Sequence, residues 1–144
     1  MVPDEADGRL VTLRPSHVGT EEGRSLALLV PDDEMARRRE DVLAKGLPWL
    51  VAERDGGLVG LTHYLLHRST WAPVCYCYLE DLFVEPSLRG GGTGRKLISA
   101  VETAARAAGA SRLYWMTHET NETAQQLYNK VADRPGFVQY RKKL

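Results

Sequence analysis

Four glycines lie within one short segment of the chain, between an apolar run and an amphipathic helix. They are Gly90, Gly91, Gly92 and Gly94. Glycines let backbone N–H groups approach an anion closely, and the start of a helix adds unpaired donors and the positive end of its dipole. Arg89, Arg95 and Lys96 add positive charge at the same place. The segment therefore predicts a cradle for a pyrophosphate group, although such glycines can also serve only as a flexible turn.

The spacing of this segment differs from that of two well-known phosphate loops. A P-loop ends in Gly-Lys followed by Ser or Thr, whereas here Gly94 is followed by Arg-Lys-Leu. A dinucleotide-binding fold carries its glycines after the first strand of a βαβ unit, with an acidic residue about 20 positions later. Here the glycines follow the fourth predicted strand, behind an antiparallel hairpin. Both kinds of nucleotide-binding protein are therefore disfavoured.

The apolar periodicity along the chain alternates between strand and helix patterns. The predicted strands cover residues 9–14, 49–54, 58–67, 75–84, 112–117 and 137–140. The predicted helices cover residues 21–29 and 32–45, a stretch from the glycine segment to residue 108, and a stretch that begins after Asn121. Strands joined by short turns pair antiparallel, and helices must cover the apolar faces of the sheet. We therefore expect one domain over residues 1–144, an α/β (α+β) fold with a mostly antiparallel sheet and helices on both faces.

The charge balance and the composition argue against several classes of protein. Nineteen Lys and Arg balance nineteen Asp and Glu, so the positive surplus typical of a nucleic-acid-binding protein is absent. The basic run 37–39 is flanked by acidic residues, which favours a solvated helix with internal ion pairs. No apolar run is long enough to span a bilayer and no secretory signal is visible, so we expect a cytoplasmic protein with no membrane partner.

The two cysteines are separated by a single residue. Cys75 and Cys77 lie in one predicted strand, and this arrangement suits a disulfide badly. A metal site would need further ligands at a suitable spacing, and no cluster of His or Cys supplies them. We therefore expect reduced thiols and no metal.

Four segments, taken in chain order, resemble the GCN5-related N-acetyltransferase (GNAT) family. The hairpin at 51–60 is typical of that family, and residues 82–86 match its Leu-x-Val-x-Pro approach. The run from Arg89 to Gly94 matches its central acetyl-CoA motif, Arg/Gln-x-x-Gly-x-Gly/Ala. Residues 121–128, Asn-x-x-Ala-x-x-Leu-Tyr, match its second cofactor motif. The resemblance implies an acetyl-CoA-dependent N-acetyltransferase.

The resemblance also implies how the cofactor binds. The sheet should splay open beside the strand that precedes the glycines, often at a bulge. The main chain of Leu82 and Val84 should pair with the pantetheine arm, the amides from Gly90 to Arg95 should hold the pyrophosphate, and Asn121 should contact the pantetheine. The implied cofactor-binding residues are Leu82, Phe83, Val84, Arg89, Gly90, Gly91, Gly92, Thr93, Gly94, Arg95, Asn121, Ala124 and Tyr128.

Tyr128 is the candidate general acid. In the implied reaction a neutral amine attacks the thioester carbonyl, and the departing thiolate benefits from a proton that a tyrosine hydroxyl can supply. Tyr128 also lies on the apolar stripe of its predicted helix, so a core residue with a satisfied hydroxyl is the alternative.

Glu80 is the candidate general base, acting directly or through a water molecule. It shares strand parity with Leu82 and Val84, so an unbroken strand would place all three side chains on one face, and a bulge would alter this. An acidic Glu-Asp pair at this place is similar to that of the diamine-acetylating branch of the family. The alternative is that Glu80 or Asp81 only attracts or pairs with a cation.

Acidic residues cluster around the expected site, which favours a cationic acceptor such as a polyamine, an amino acid or a lysine side chain. Glu80, Asp81, His118 and Glu119 are the candidate contacts for this acceptor. Strand pairing through the C-terminal segment is common in the family, so residues 137–142 are expected to help form a homodimer. The rival interpretation is a catalytically silent module that binds acyl-CoA as a sensor.

Overall fold

The computed structural model describes residues 2–3, 10–16 and 49–144, with side chains from residue 50 onward. The strands are β1 (Val2–Pro3), β2 (Leu10–Ser16), β3 (Trp49–Arg54), β4 (Gly57–His67), β5 (Tyr76–Val84) and β6 (Leu113–Tyr114). The helices are α1 (Thr93–Ala107) and α2 (Glu122–Val131), with a short 3₁₀ turn at Pro86–Leu88. The helices predicted at 21–29 and 32–45 lie outside the described residues.

The six described strands form one sheet in the order β1-β2-β3-β4-β5-β6. All neighbouring pairs are antiparallel except β5 and β6, which are parallel because α1 connects them. The β3–β4 hairpin turns at Asp55 and Gly56, whose φ angles of 52° and 77° are those of the primed turns that match strand twist. The prediction of a mostly antiparallel mixed sheet is confirmed.

Helix α1 covers the centre of the sheet with the apolar stripe that the sequence predicts. Leu97, Ile98, Val101 and Ala105 are buried against side chains of β3 and β5. The buried cluster also includes Leu50, Ala52, Cys77 and Leu79. Gly60 on β4 allows this close approach, since a Cβ there would lie 3.2 Å from Leu97 Cδ1 and 3.0 Å from a backbone oxygen of β5. Helix α2 packs against the same cluster through Leu127, Tyr128 and Val131.

The last predicted strand, at residues 137–140, is wrong. No regular structure follows α2, and Phe137 and Tyr140 are 92% and 94% exposed. A strand forms only where a neighbour pairs its backbone, and β6 is paired for just two residues. A hydrogen bond connects this tail to the domain: Gln139 Nε2 donates to Met116 Sδ at 3.2 Å.

Candidate active site

Strands β5 and β6 separate soon after they meet. They pair at Cys77 with Leu113 and at Tyr78 with Tyr114, and the Cys77 N–H donates to the Arg112 carbonyl at 2.8 Å. Strand β5 then continues to Val84, paired within the described chain only with β4. The edge of β5 from 79 to 84 therefore faces a gap, which can accept an extended group bearing amides. The splay expected beside the cofactor strand is confirmed.

A β-bulge lies where the gap begins. Tyr64 pairs with Leu79 and His63 pairs with Asp81, so Glu80 is the extra residue of β5. The bulge breaks the alternation of side chains, because Leu82 packs against the core cluster while Glu80 is exposed. The shared face that an unbroken strand would give Glu80, Leu82 and Val84 is therefore not found.

Asp81 is held by two neighbours on β4. Its carboxylate Oδ2 lies 3.1 Å from His63 Nδ1, and its backbone carbonyl accepts a 2.7 Å hydrogen bond from the Thr62 hydroxyl. His63 and Thr62 are 4% and 0% exposed. Partial burial raises the pKa of Glu80, the neighbouring Asp81 carboxylate raises it further, and His63 opposes both effects. The bulge thus brings two carboxylates and an imidazole together.

An aromatic wall, formed by His67, Tyr76, Tyr78 and Tyr114, lies beside these carboxylates. The Tyr114 hydroxyl lies 2.6 Å from His67 Nε2, and His67 Nδ1 lies 2.8 Å from the Arg68 carbonyl. The rings of Tyr78 and Tyr114 are 5.0 Å apart. Sequence reasoning did not identify Tyr78 and Tyr114 as site residues. The alternation of Tyr76, Tyr78 and Glu80 along β5 is the signal that points to Tyr78, whereas Tyr114 reaches the site only through the pairing of β6 with β5.

The glycine segment forms the start of α1, on the far side of the 3₁₀ turn. Gly90 and Gly92 have φ angles of 85° and 90°, and Gly92 caps α1 without a side-chain hydrogen bond. Gly94 lies between Val84 and Leu127, so the first turn of α1 touches both β5 and α2. Its leading N–H groups are thus held beside the gap at the end of β5.

Two polar atoms in this first turn are buried without a partner among the described residues. They are Thr93 Oγ1 and Lys96 Nζ. Buried donors normally have a partner, so an acceptor-rich group belongs near them. A phosphate group bound at the first turn of α1 would satisfy this requirement.

Arg89 ties the glycine segment to the end of β5. Its Nε donates to the Val84 carbonyl at 3.0 Å, and its guanidinium lies 5.8 Å from the centre of the Phe83 ring. The Val84 carbonyl, expected to face the pantetheine, is therefore already in contact with Arg89. This contact fixes the turn between β5 and α1.

Tyr128 is half-buried on α2, where its ring packs edge-on against Trp115 with centroids 5.4 Å apart. Burial raises the pKa of its hydroxyl, and that hydroxyl makes no hydrogen bond with another described residue. The hydroxyl is therefore protonated near neutral pH and can donate a hydrogen bond or a proton. Its packing against the core cluster is also that of a core residue, so the role of Tyr128 as general acid stays a prediction.

The remaining predicted residues form the turn that leads into α2. Asn121 Oδ1 accepts from the Ala124 N–H at 3.3 Å, so Asn121 is the N-cap of α2, and the predicted start of this helix after Asn121 is confirmed. His118 Nδ1 lies 2.7 Å from the Thr120 hydroxyl. The carbonyls of His118 and Glu119 both accept from the side-chain amide of Gln125. His118 and Glu119 are exposed and stabilise this turn, and their predicted contact with an acceptor stays a prediction.

Residues 18–132 of the sequence match the model of the acetyltransferase (GNAT) family. The chain belongs to this family. A D-amino-acid N-acetyltransferase HPA3 from Saccharomyces cerevisiae is 39% identical over 87 residues, 60% of this chain and 54% of that enzyme. A thialysine N-epsilon-acetyltransferase from Bos taurus is 38% identical over 74 residues, 51% of this chain and 43% of its own length. The chain thus spans about half the length of these relatives.

Solved structures share the fold over nearly the whole chain. A ribosomal-protein-alanine N-acetyltransferase from Brucella melitensis biovar Abortus 2308 superposes with a TM-score of 0.80 and 19% identity, covering 94% of this GNAT chain and 100% of its own. An aminoglycoside N-acetyltransferase in complex with CoA superposes with a TM-score of 0.74 and 24% identity, over 96% of this chain and 97% of its own. At these identities the likeness establishes the fold.

No described helix of this GNAT chain has the length and apolarity needed to cross a membrane. No group of three or more His, Cys, Asp or Glu side chains within the described residues is arranged to hold a metal ion.

The raised pKa of Glu80 predicts how this carboxylate affects the free energy of unfolding of the protein. Because the pKa of Glu80 is raised, its carboxylate is disfavoured in the folded protein and costs stability above the ordinary titration range of glutamate. We expect Glu80→Gln to increase the free energy of unfolding at about pH 7, with the gain vanishing as the pH falls below about 4. Urea unfolding at both pH values measures this, with Glu102→Gln on α1 as the control. A Glu80→Gln variant less stable than wild type at about pH 7 would contradict the environment described for this carboxylate.

Proposed function

We propose that this protein is an acetyl-CoA-dependent N-acetyltransferase that transfers an acetyl group to a primary amine. The observation that carries this proposal is the gap between β5 and β6, with a glycine-rich helix start at one end and a bulge bearing two carboxylates at the other. An extended acyl-CoA can lie along the gap, with its phosphates at the helix and its acyl group beside the bulge. Family membership supports the same reaction.

The residues of the glycine segment fit a pyrophosphate group. The N–H groups at the start of α1 carry no side-chain cap, and the buried Thr93 Oγ1 and Lys96 Nζ have no partner among the described residues. Arg95 is exposed nearby and adds positive charge. Bound acetyl-CoA would supply the thioester whose carbonyl carbon the amine attacks. The unpaired edge of β5 would hold the pantetheine amides, next to Asn121 and Ala124 of α2.

Glu80 and Tyr128 have complementary environments for the two proton transfers. Glu80 takes the proton that the ammonium must lose before the nitrogen–carbon bond forms, and its raised pKa brings it closer to that task. Tyr128, still protonated near neutral pH, donates to the sulfur as the carbon–sulfur bond breaks. Tyr128 packs against the core cluster on the α1 side of the sheet, whereas Glu80 does not. The base and the acid therefore approach the gap from different sides.

We propose a cationic small-molecule amine or lysine-like group as the acceptor. Glu80 and Asp81 create a negative field at the bulge, and Tyr78 and Tyr114 offer ring faces on which a cation can rest. Two relatives carry names that point to amino acids or lysine analogues as their substrates. Glu119 and His118 would lie at the rim of the same site. Free Cys75 and Cys77 support a cytoplasmic setting for this reaction.

Calorimetric titration of the protein with acetyl-CoA, coenzyme A and ATP tests the cofactor part of the proposal. We expect acetyl-CoA and coenzyme A to bind with micromolar dissociation constants and ATP to bind far more weakly, because the gap holds the pantetheine arm that ATP lacks. Equal binding of ATP and acetyl-CoA would contradict the role of the gap and favour a nucleotide-binding protein.

We also propose that the protein forms a homodimer through residues 137–142 of its C-terminal tail, residues 132–144. Phe137, Val138 and Tyr140 are largely exposed on this tail. A groove of about 480 Å³ lies between α1, β6 and the end of α2, and Leu113, Trp115 and Val131 contribute apolar surface to it. A second copy could place its tail on the unpaired edge of β6 and cover this surface.

Sedimentation velocity tests this dimer. We expect the wild-type chain to sediment as a dimer and Phe137→Ser to sediment as a monomer, because the variant loses the apolar side chain that would cover Leu113, Trp115 and Val131. Lys143→Glu, also an exposed tail position, is the control and should remain dimeric. A monomeric wild-type chain at micromolar concentration would exclude the dimer.

A further inference from the structure

Two consecutive residues of β4 hold Asp81 from both faces of the sheet. Successive side chains of a strand point to opposite faces, and here Thr62 and His63 both turn towards the same partner. The Thr62 hydroxyl donates to the Asp81 carbonyl at 2.7 Å, and His63 Nδ1 lies 3.1 Å from the Asp81 carboxylate. Thr62 and His63 are both more than nine-tenths buried. Both bonds end on the residue that follows the bulge.

The carboxylates of Asp81 and Glu80 differ in the contacts that hold them. Asp81 is bonded through its side chain and its backbone, whereas the side chain of Glu80 is exposed and makes no hydrogen bond or ion pair with another described residue. A bulge leaves its extra residue without a cross-strand partner and bends the strand. With Asp81 fixed, the orientation of Glu80 is set by the backbone of the bulge rather than by a bond of its own.

We propose that Thr62 and His63 form a positioning clamp, which fixes the bulge, holds Asp81 as a structural anion and leaves Glu80 as the carboxylate that accepts the proton. This inference rests on the proposed function and divides the roles of the two carboxylates within that site. Neither Thr62 nor His63 is a catalytic residue in it, since both act through Asp81.

The clamp also controls the charge that Glu80 experiences. Asp81 and Tyr78 face Glu80 from β5, His63 faces it from β4, and Tyr114 faces it from β6. Arg141 of the C-terminal tail acts on Tyr78 in the same cluster. Asp81 raises the pKa of Glu80 and His63 lowers it, so the clamped residue and the imidazole that holds it have opposite effects on Glu80. Removing the Asp81 charge should therefore lower the titration midpoint of Glu80, and removing the His63 imidazole should raise it.

Carbon-13 NMR titration of the Glu80 carboxyl in the full 144-residue chain tests the clamp, with the signal assigned by its loss in Glu80→Gln. Asparagine keeps a donor near the Nδ1 position without the charge, so His63→Asn should raise the Glu80 midpoint by roughly half a pH unit. Asp81→Asn should lower it by a similar amount. Asp133→Asn, an exposed carboxylate beyond α2, is the matched control and should leave the midpoint in place.

The two contacts of the clamp can be separated with threonine variants. Thr62→Val removes the hydroxyl that holds the bulge, and it should alter the Glu80 midpoint and lower kcat without changing the KM for acetyl-CoA. Thr103→Val is its control, because the Thr103 hydroxyl also donates to a backbone carbonyl, at 3.1 Å, on the exposed side of α1. It should change neither the midpoint nor kcat.

The outcomes distinguish the clamp from the reaction itself. A Glu80 midpoint that moves in the same direction in His63→Asn and Asp81→Asn, or in neither, would overturn the clamp even in a protein that acetylates no amine. If the midpoint moves as expected, the acid limb of kcat/KM should move with it. An acid limb that stays fixed while the NMR midpoint shifts would overturn Glu80 as the base, and with it the proposed division of roles, while the contacts that fix the bulge would stand.

Discussion

Replacing Tyr128 with phenylalanine is expected to lower kcat by roughly 100-fold or more, because the sulfur then leaves without a proton from the protein. Acetyl-CoA affinity should change by less than about threefold, since the phenyl ring retains the edge-on packing against Trp115. Steady-state kinetics with an accepted amine, together with calorimetric binding of acetyl-CoA, measures both quantities.

Tyr64→Phe is the matched control for this change. Tyr64 packs against the same core cluster as Tyr128, and burial raises the pKa of both hydroxyls. Tyr64 lies on β4 opposite Leu79, within the sheet rather than on α2. Turnover should therefore be nearly normal in Tyr64→Phe. Similar losses of kcat in the two variants would indicate that Tyr128 is a core residue and has no part in proton transfer.

Gly90→Asp is expected to weaken acetyl-CoA binding by roughly 10- to 100-fold, the range that the loss of a hydrogen bond to a charged group represents. A carboxylate at position 90 would place negative charge beside the expected pyrophosphate. The surroundings are open, since no atom lies within 4 Å of a Cβ built at Gly90. The effect should therefore come from charge and from the loop backbone rather than from a clash. Calorimetric titration gives the dissociation constant.

Gly109→Asp is the matched control, because it introduces a similar backbone strain at the other end of α1, away from the glycine segment. Its φ of 79° is close to the 85° of Gly90, and its surroundings are equally open. Each substitution should reduce the free energy of unfolding by about 1 kcal/mol, the cost of a left-handed conformation for a residue with a Cβ. Only Gly90→Asp should lose cofactor affinity. Equal affinities in the two variants would exclude the glycine segment as the pyrophosphate site.

The parts of the fold that are encoded locally could be predicted from the sequence. The stripe Leu97-Ile98-Val101 predicts the buried face of α1, and Gly109 predicts its end, because both depend on helical periodicity and on one backbone conformation. The cap at Asn121 is local in the same way. The succession of strands and helices along the chain as far as α2 follows from such signals, and the glycine segment follows from them together with the family resemblance.

The parts that depend on pairing between distant residues could not be predicted. The side on which Glu80 lies depends on which residue of β5 is the extra one, and this is fixed by the register against β4 rather than by the β5 sequence. The same register brings His63 to Asp81, a contact that the sequence does not predict. The strand expected at 137–140 failed for a related reason, since its apolar residues have no described neighbour with which to pair.

Release of free thiol from acetyl-CoA in the presence of candidate amines, with mass spectrometry of the product, tests the central claim most directly. Polyamines, amino acids and a lysine-containing peptide form the panel, and uncatalysed thiol release is the reference. We predict thiol release with at least one cationic amine, an equal amount of the N-acetylated amine, and loss of both in Tyr128→Phe. Tight acetyl-CoA binding with no thiol release from any amine would contradict the transferase and favour an acyl-CoA sensor.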